Sequence, residues 1–137
     1  MIDWDSDPEL KKLKEDYVNS LRQRREVLAG IVNQLKAESK NTPEIRESFQ
    51  FVVHKIAGTA ESYGFPALTE LTSALDDYFD LSAVAELQHT DLVNVASMVD
   101  KALEIASNGE DPVVVLNDNL FQKISVAVER ALSAPKT

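Results

Sequence analysis

The sequence predicts an all-α protein: an antiparallel four-helix bundle with one additional helix or an N-terminal helical extension. Apolar residues recur at intervals of three and four along five segments, which is the periodicity of amphipathic helices. No segment competes with these patterns through the strict alternation of a half-buried strand. Only 4 glycines and 5 prolines occur in 137 residues, which leaves little room for an all-β fold with many turns. Since the connections are short, neighbouring helices should run antiparallel.

Three prolines mark predicted helix starts: Pro8, Pro43 and Pro66. Proline is tolerated at the first helical position because the N–H that it lacks would be unpaired there. The apolar run 113–116 could pass for a strand, but it would have no partner strand, so we interpret it as the connection into the last helix. The predicted helices cover residues 8–39, 43–62, 66 to about 82, about 90–108 and about 118–132.

Length and charge restrict the classes of function. The chain is long enough for one domain, 1–137, of which residues 1–7 are expected to be flexible. Lys and Arg total 14 against 23 Asp and Glu, so the net charge is −9, and binding to nucleic acid or to an anionic membrane is disfavoured. Cysteine is absent, which excludes thiol chemistry. No signal peptide or membrane-spanning run is recognisable, and a cytoplasmic monomer is expected.

The second predicted helix carries a histidine on its polar face. At about 100° per residue, the apolar residues of this helix centre about 150° away from His54. His54 should therefore face solvent, in a stripe with Glu47, Gln50, Gly58 and Glu61. Phe51 lies about 60° from the His54 direction and should be partly exposed, with packing against the first helix as the alternative.

Gly58 is unusual inside a predicted helix, where glycine costs about 1 kcal/mol relative to alanine. It lies one turn after His54, so the bare backbone would let a large group approach the imidazole. A neutral imidazole nitrogen is a competent nucleophile near pH 7, and Lys55 offers an adjacent cation. The pattern suits a histidine that takes up a phosphoryl group. The alternatives are an ordinary surface histidine and a glycine that permits close helix packing.

The same segment resembles the histidine-containing phosphotransfer (HPt) domain. That family's signature is close to H-x-[LI]-K-G-[SGA]-[SA]-x-x-[LFIV]-G, followed by spaced leucines and an acid. The resemblance is closest to the N-terminal phosphotransfer domain of chemotaxis-type histidine kinases, and it is specific over residues 49–79. The matching residues are His54, Ile56, Gly58, Thr59, Ala60, Tyr63, Gly64, Leu68, Leu71, Leu75 and Asp76.

The resemblance implies a phosphorelay role. His54 would carry a phosphoryl group between a histidine kinase, a hybrid kinase or a receiver aspartate and the receiver aspartate of a response regulator. Asp76 would hydrogen-bond the ring nitrogen that is not phosphorylated. The chain would be a phosphocarrier without an ATP site or metal of its own, and the receiver would supply Mg²⁺. Docking is expected to involve Gln50, Phe51, Lys55, Ala57, Gly58 and Glu61, with Lys55, Gly58 and Asp76 supporting the histidine.

One departure from the family pattern concerns charge. The family has a lysine three residues after the histidine, where this chain has Ala57. Lys55 compensates in part, or transfer is slower, or the chain is a non-phosphorylated adaptor that binds receivers. A histidine kinase dimerisation domain is a further alternative, but Lys55 and Thr59 stand where that family has an acid and a proline. The chain could also be the phosphoacceptor part of a larger kinase.

Overall fold

The computed structural model describes residues 6–38, 43–80 and 89–133. Within these ranges the chain forms five α-helices and no strand, so the predicted all-α helical bundle is confirmed. Short 3₁₀ helices at Ala60–Tyr63 and Val113–Asn117 lie in two of the connections. The α-helices are α1 (Pro8–Glu38), α2 (Pro43–Ala57), α3 (Pro66–Asp80), α4 (His89–Ser107) and α5 (Asn119–Ser133).

Helices α1 and α4 pack side by side and run antiparallel. Arg22 of α1 donates to the carbonyl oxygen of Ser107 at the end of α4, at 2.8 Å. Three residues further along α1, Arg25 meets Asp100, which lies earlier in α4. Residue numbers thus rise along one helix as they fall along the other.

Helices α2 and α3 form a second antiparallel pair. Gln50 donates to Asp80 near the end of α3, and His54, one turn later in α2, contacts Asp76, one turn earlier in α3. Helix α1 also packs against α2, and α5 packs against α3.

The apolar stripes of all five helices meet in one core. On α1 the fully buried residues recur every seven positions, at Leu21, Leu28 and Leu35. Burying a leucine side chain contributes about 1.5–3 kcal/mol relative to leaving it exposed, so this stripe holds α1 on the bundle. The other helices contribute Phe49, Val53, Ile56, Leu68, Leu71, Leu75, Leu92, Leu103 and, from α5, Phe121, Ile124 and Val128.

A carboxylate from a distant loop caps the start of α3. Pro66 begins this helix after Phe65, which has no polar side chain for capping. Both oxygens of Asp111, in the connection between α4 and α5, accept from the backbone N–H of Ala67 at 3.0 Å, and Oδ1 also accepts from Leu68 at 3.3 Å. The unpaired N–H groups at a helix start favour a carboxylate there.

The prediction that α2 runs to residue 62 is wrong. The helix ends at Ala57, and Gly58 follows the helix end instead of lying inside it. The N–H of Thr59 bonds Ile56 at 3.1 Å, a tighter spacing than that of an α-helix, and the Thr59 hydroxyl donates to the Lys55 carbonyl at 3.0 Å. Threonine thereby offers the backbone an alternative to the next α-helical turn. His54 consequently lies in the last turn of α2, whereas the predicted helix 43–62 would have placed it midway along a helix.

Other boundaries shift by small amounts. Helix α4 begins at His89, so the second histidine opens a helix, and α5 begins at Asn119. The run 113–116, interpreted as a connection, lies in a 3₁₀ helix. For residues 1–5, 39 and 81–82, the predictions of a flexible start and of helix ends lie outside the described residues. None of the helices in the described ranges combines the length and apolar character needed to cross a membrane.

Candidate functional site

An exposed histidine and a carboxylate meet where α2 faces α3. The Nδ1 atom of His54 lies 2.8 Å from Oδ2 of Asp76. The His54 side chain is 69% exposed, whereas that of Asp76 is 18% exposed. With its proton on Nδ1, the ring donates to the carboxylate and keeps the lone pair of Nε2 free. The contact therefore selects the tautomer in which Nε2 carries a lone pair that faces away from Asp76 and could act as a nucleophile.

The turn between α2 and α3 brings these residues together across 22 positions of sequence. The chain leaves α2 through the 3₁₀ helix and reverses at Gly64, whose φ of 89° lies in the left-handed region. Glycine adopts that conformation without the steric cost that a side chain brings. The N–H of Gly64 also bonds the carbonyl oxygens of Ala60 and Glu61, which closes the turn.

Gln50 holds the carboxylate from the opposite side. Its Nε2 donates to Oδ1 of Asp76 at 3.2 Å and to Oδ1 of Asp80 at 2.7 Å. One oxygen of Asp76 thus faces His54 and the other faces Gln50. A carboxylate held at both oxygens orients the imidazole more firmly than one free to rotate.

A shallow depression of about 340 Å³ opens over the histidine. Three of its residues carry carboxylates, so the surroundings of His54 are acidic. The lining residues are Glu47, Gln50, Phe51, His54, Asp76 and Asp80.

Phe51 and Lys55 form a pair at the edge of this depression. Phe51 is 59% exposed, so the predicted exposure is confirmed and the alternative of burial against the first helix is wrong. The Nζ atom of Lys55 lies 5.3 Å from the centroid of the Phe51 ring. This distance is typical of a cation–π contact.

Gly58 has open space around it. A Cβ atom at this position would meet the carbonyl oxygens of His54 and Lys55 at 3.7 and 3.9 Å, which are ordinary contacts. No atom of another element in the described ranges lies within 4 Å of that point. Among the described residues, therefore, no neighbouring helix packs closely on Gly58, which goes against the alternative of close helix packing, and the backbone next to His54 is open there.

The structure separates the predicted residues into two groups. Gln50 and Phe51 line the depression with His54 and Asp76, and Lys55 contacts Phe51. Ala57 is half-buried and Glu61 is exposed on the 3₁₀ helix, and neither lines the depression. Asp80 was not predicted, although its position four residues after Asp76 places both on one face of α3.

Tyr17 of α1 supports the segment that follows the histidine. Its hydroxyl lies 2.9 Å from Oγ1 of Thr59, and its ring stacks on Tyr63 with centroids 4.2 Å apart. Burial raises the pKa of the Tyr17 phenol, and the hydrogen bond with Thr59 opposes that effect. Helix α1 is thereby tied to the turn that carries α2 into α3.

No group of three or more His, Cys, Asp or Glu side chains in the described part of the chain could hold a metal ion. No protein-family model matches the sequence, and no curated protein matches it at a significant level. The geometry at His54 is thus the basis for a functional conclusion.

Proposed function

We propose that this chain is a histidine phosphotransfer domain that carries a phosphoryl group on Nε2 of His54. The observation that carries the proposal is the 2.8 Å contact between Nδ1 of the exposed His54 ring and Asp76. It leaves one ring nitrogen held and the other available. The sequence resemblance to HPt domains over residues 49–79 supports the same conclusion.

The proposed step is an in-line displacement at phosphorus. The lone pair of Nε2 forms the N–P bond while the P–O bond of an aspartyl phosphate breaks, and its electron pair stays on the leaving carboxylate. The Nδ1 proton remains on the ring, so the phosphorylated imidazole is cationic and the carboxylate of Asp76 compensates its charge. The reverse step delivers the phosphoryl group to a receiver aspartate.

The partner in this proposal is a receiver domain, with a histidine kinase or hybrid kinase upstream. By the resemblance, the receiver contributes Mg²⁺ and the acidic pocket, while this chain contributes the nucleophile and a docking surface. Phe51 is suited to that surface because exposed aromatic side chains near a site often anchor a partner.

A second candidate is a receiver-binding adaptor that is not phosphorylated. The acidic lining favours it, because Glu47 and Asp80 share the depression with His54 and would repel a phosphoryl dianion. Ala57, where the family has a lysine, favours it as well.

A labelling experiment separates the two candidates. Wild type, His54→Gln and the matched control His89→Gln are incubated with potassium phosphoramidate and, separately, with phosphorylated receiver domains. We expect an acid-labile, alkali-stable label on wild type and His89→Gln and none on His54→Gln, with phosphorus NMR showing an Nε2 linkage. A wild-type chain that stays unlabelled while a known HPt domain is labelled would overturn the proposal, and receiver binding by that chain would establish the adaptor.

A further inference from the structure

Lys55 is held on the ring of a residue that lines the histidine depression. Its Nζ lies 5.3 Å from the centroid of the Phe51 ring, four residues earlier in α2. Both side chains are exposed, so the pair is not imposed by packing in the core. Phe51 itself lines the depression with His54.

The helix geometry brings this cation towards the histidine. Lys55 projects about 100° around α2 from His54, which by itself would separate them. Phe51 lies between these two directions, about 60° from His54 and about 40° from Lys55. Side chains on a helix lean towards its N-terminus, so the imidazole and the ammonium group are both carried towards the turn that contains Phe51.

A phosphoryl group at this site needs such a cation. Glu47, Asp76 and Asp80 already line the depression with carboxylates. Adding a phosphoryl group increases the negative charge, and like charges close together disfavour one another. Within the described residues, Lys55 is a cation that contacts a residue of the lining, because its Nζ lies over the Phe51 ring.

We propose that Phe51 is a positioning residue whose ring holds the ammonium group of Lys55 beside His54, so that Lys55 serves as the cation for the phosphoryl group. The inference rests on the proposed function, which it deepens. It assigns to a cation–π pair the charge that the resemblance would place at Ala57. Phe51 acts through Lys55 and does not itself contact the reacting atoms.

The test compares variants that lack the Phe51 ring with a variant that lacks the Lys55 charge. Phe51→Leu removes the ring and keeps an apolar side chain, whereas Phe51→Tyr keeps the ring. Lys55→Met removes the charge and keeps the length. The measured quantities are the rate of labelling by potassium phosphoramidate and the lifetime of the phosphohistidine, with circular dichroism as the check on folding.

We expect Phe51→Leu to slow labelling about two- to fivefold, the size of an exposed cation–π contact, and Phe51→Tyr to label like wild type. Lys55→Met should slow labelling further, by roughly tenfold, because the charge itself is lost. In the Lys55→Met background Phe51→Leu should have no additional effect, since the ring then has no cation to hold. Ala57→Lys should restore labelling in both single variants.

Three outcomes would overturn the inference in different ways. Labelling of Phe51→Leu and Lys55→Met at the wild-type rate would leave the phosphotransfer proposal standing and remove the role of the pair. Multiplicative effects of the two substitutions would show that Phe51 acts independently of Lys55. If the wild-type chain takes no label, the proposed function itself is contradicted, and so is the inference that rests on it. The contact itself can be measured without a phosphoryl donor. The Lys55 ε-protons should show ring-current shifts in wild type and in Phe51→Tyr, and these shifts should be lost in Phe51→Leu.

Discussion

The two antiparallel helix pairs are bridged by polar side chains of different kinds. Between α1 and α4, Arg25 lies 2.7 Å from Asp100 and 3.1 Å from Glu104. Between α2 and α3, the corresponding bridge is the contact of His54 with Asp76. The first bridge joins a guanidinium group to two carboxylates, whereas the second joins a carboxylate to an imidazole ring, which has two different nitrogens.

The Arg25 bridge joins two helices, whereas the His54 bridge also determines how an exposed imidazole ring is oriented. Asp100, by its hydrogen bond, raises the pKa of the Arg25 guanidinium, which therefore stays charged. At 38% exposure such a pair contributes little to stability. In the His54 bridge the imidazole is more exposed, at 69%, and the carboxylate less exposed, at 18%, and the contact fixes which ring nitrogen is free. Under the proposed function, this contact orients the ring for phosphoryl transfer.

Of the substitutions considered for the two bridges, Asp76→Asn should have the largest effect on the labelling rate of His54. An amide cannot compensate the charge of a phosphorylated imidazole, and it can donate to Nδ1 and so favour the wrong tautomer. We expect labelling by phosphoramidate to fall roughly ten- to hundredfold, as is usual for residues that orient a functional side chain. A stopped-time labelling assay measures this effect. Equal rates for Asp76→Asn and wild type would show that the contact is structural only.

Asp111→Ala tests whether a strong structural carboxylate leaves the chemistry untouched. It removes the cap of α3, so the free energy of unfolding should fall by about 1–2 kcal/mol, as for other capping residues. Urea denaturation measures that loss. The labelling rate of the folded variant should equal that of wild type. A large drop in labelling at unchanged stability would mean that the start of α3 affects Asp76.

Gly58→Ala distinguishes access to His54 from its reactivity. The added methyl group makes only ordinary contacts, and the unfolded chain loses freedom, so stability should rise by about 0.4–1 kcal/mol. Labelling by phosphoramidate should be unchanged, while transfer from a phosphorylated receiver should slow because the docking surface is no longer flat. Equal slowing with both donors would contradict a role in access.

Arg25→Met examines the opposite bridge. The guanidinium is partly exposed and its partners are exposed to a similar degree, so the loss in unfolding free energy should stay below about 1 kcal/mol. The labelling rate should be that of wild type. A matched measurement at 1 M salt should shrink even this small difference, because salt screens exposed ion pairs. A loss that salt does not reduce would indicate packing of the side-chain stem instead.

Tyr17 links the two helix pairs and adds a dependence on alkaline pH. Because burial raises the pKa of its phenol in the folded state, its contribution to stability is full below the unfolded value of 10.0 and is lost as pH rises through the folded value. Wild type should therefore lose stability above pH 10 more steeply than Tyr17→Phe. Thermal unfolding between pH 9 and about 11 measures the two slopes. Parallel slopes would contradict this assignment.

The sequence alone predicted the elements that depend on local patterns. Three helix starts at proline agree with the structure, because that preference resides in one residue and its neighbours. The exposure of His54 followed from the helical periodicity of α2. The contact with Asp76 was expected from the resemblance to HPt domains, and the structure contains it.

Contacts between distant segments were not predictable in this way. The capping of α3 by Asp111 joins residues 44 positions apart, and no local pattern indicates it. The stacking of Tyr17 on Tyr63 likewise depends on how α1 lies across the turn. The early end of α2 had a local signal in Thr59, but the choice between an α-helical and a 3₁₀ turn depends on the tertiary contacts that Thr59 makes.

The short turn at Gly64 has a consequence for folding order. Gln50, His54, Asp76 and Asp80 all lie within one helical hairpin, so their meeting requires closure of a short loop only. The entropy lost on closing a loop grows slowly with its length, and contacts of low sequence separation form quickly. The pairing of imidazole and carboxylate thus requires only that this hairpin closes, and α1 and α5 pack against the two helices that form it.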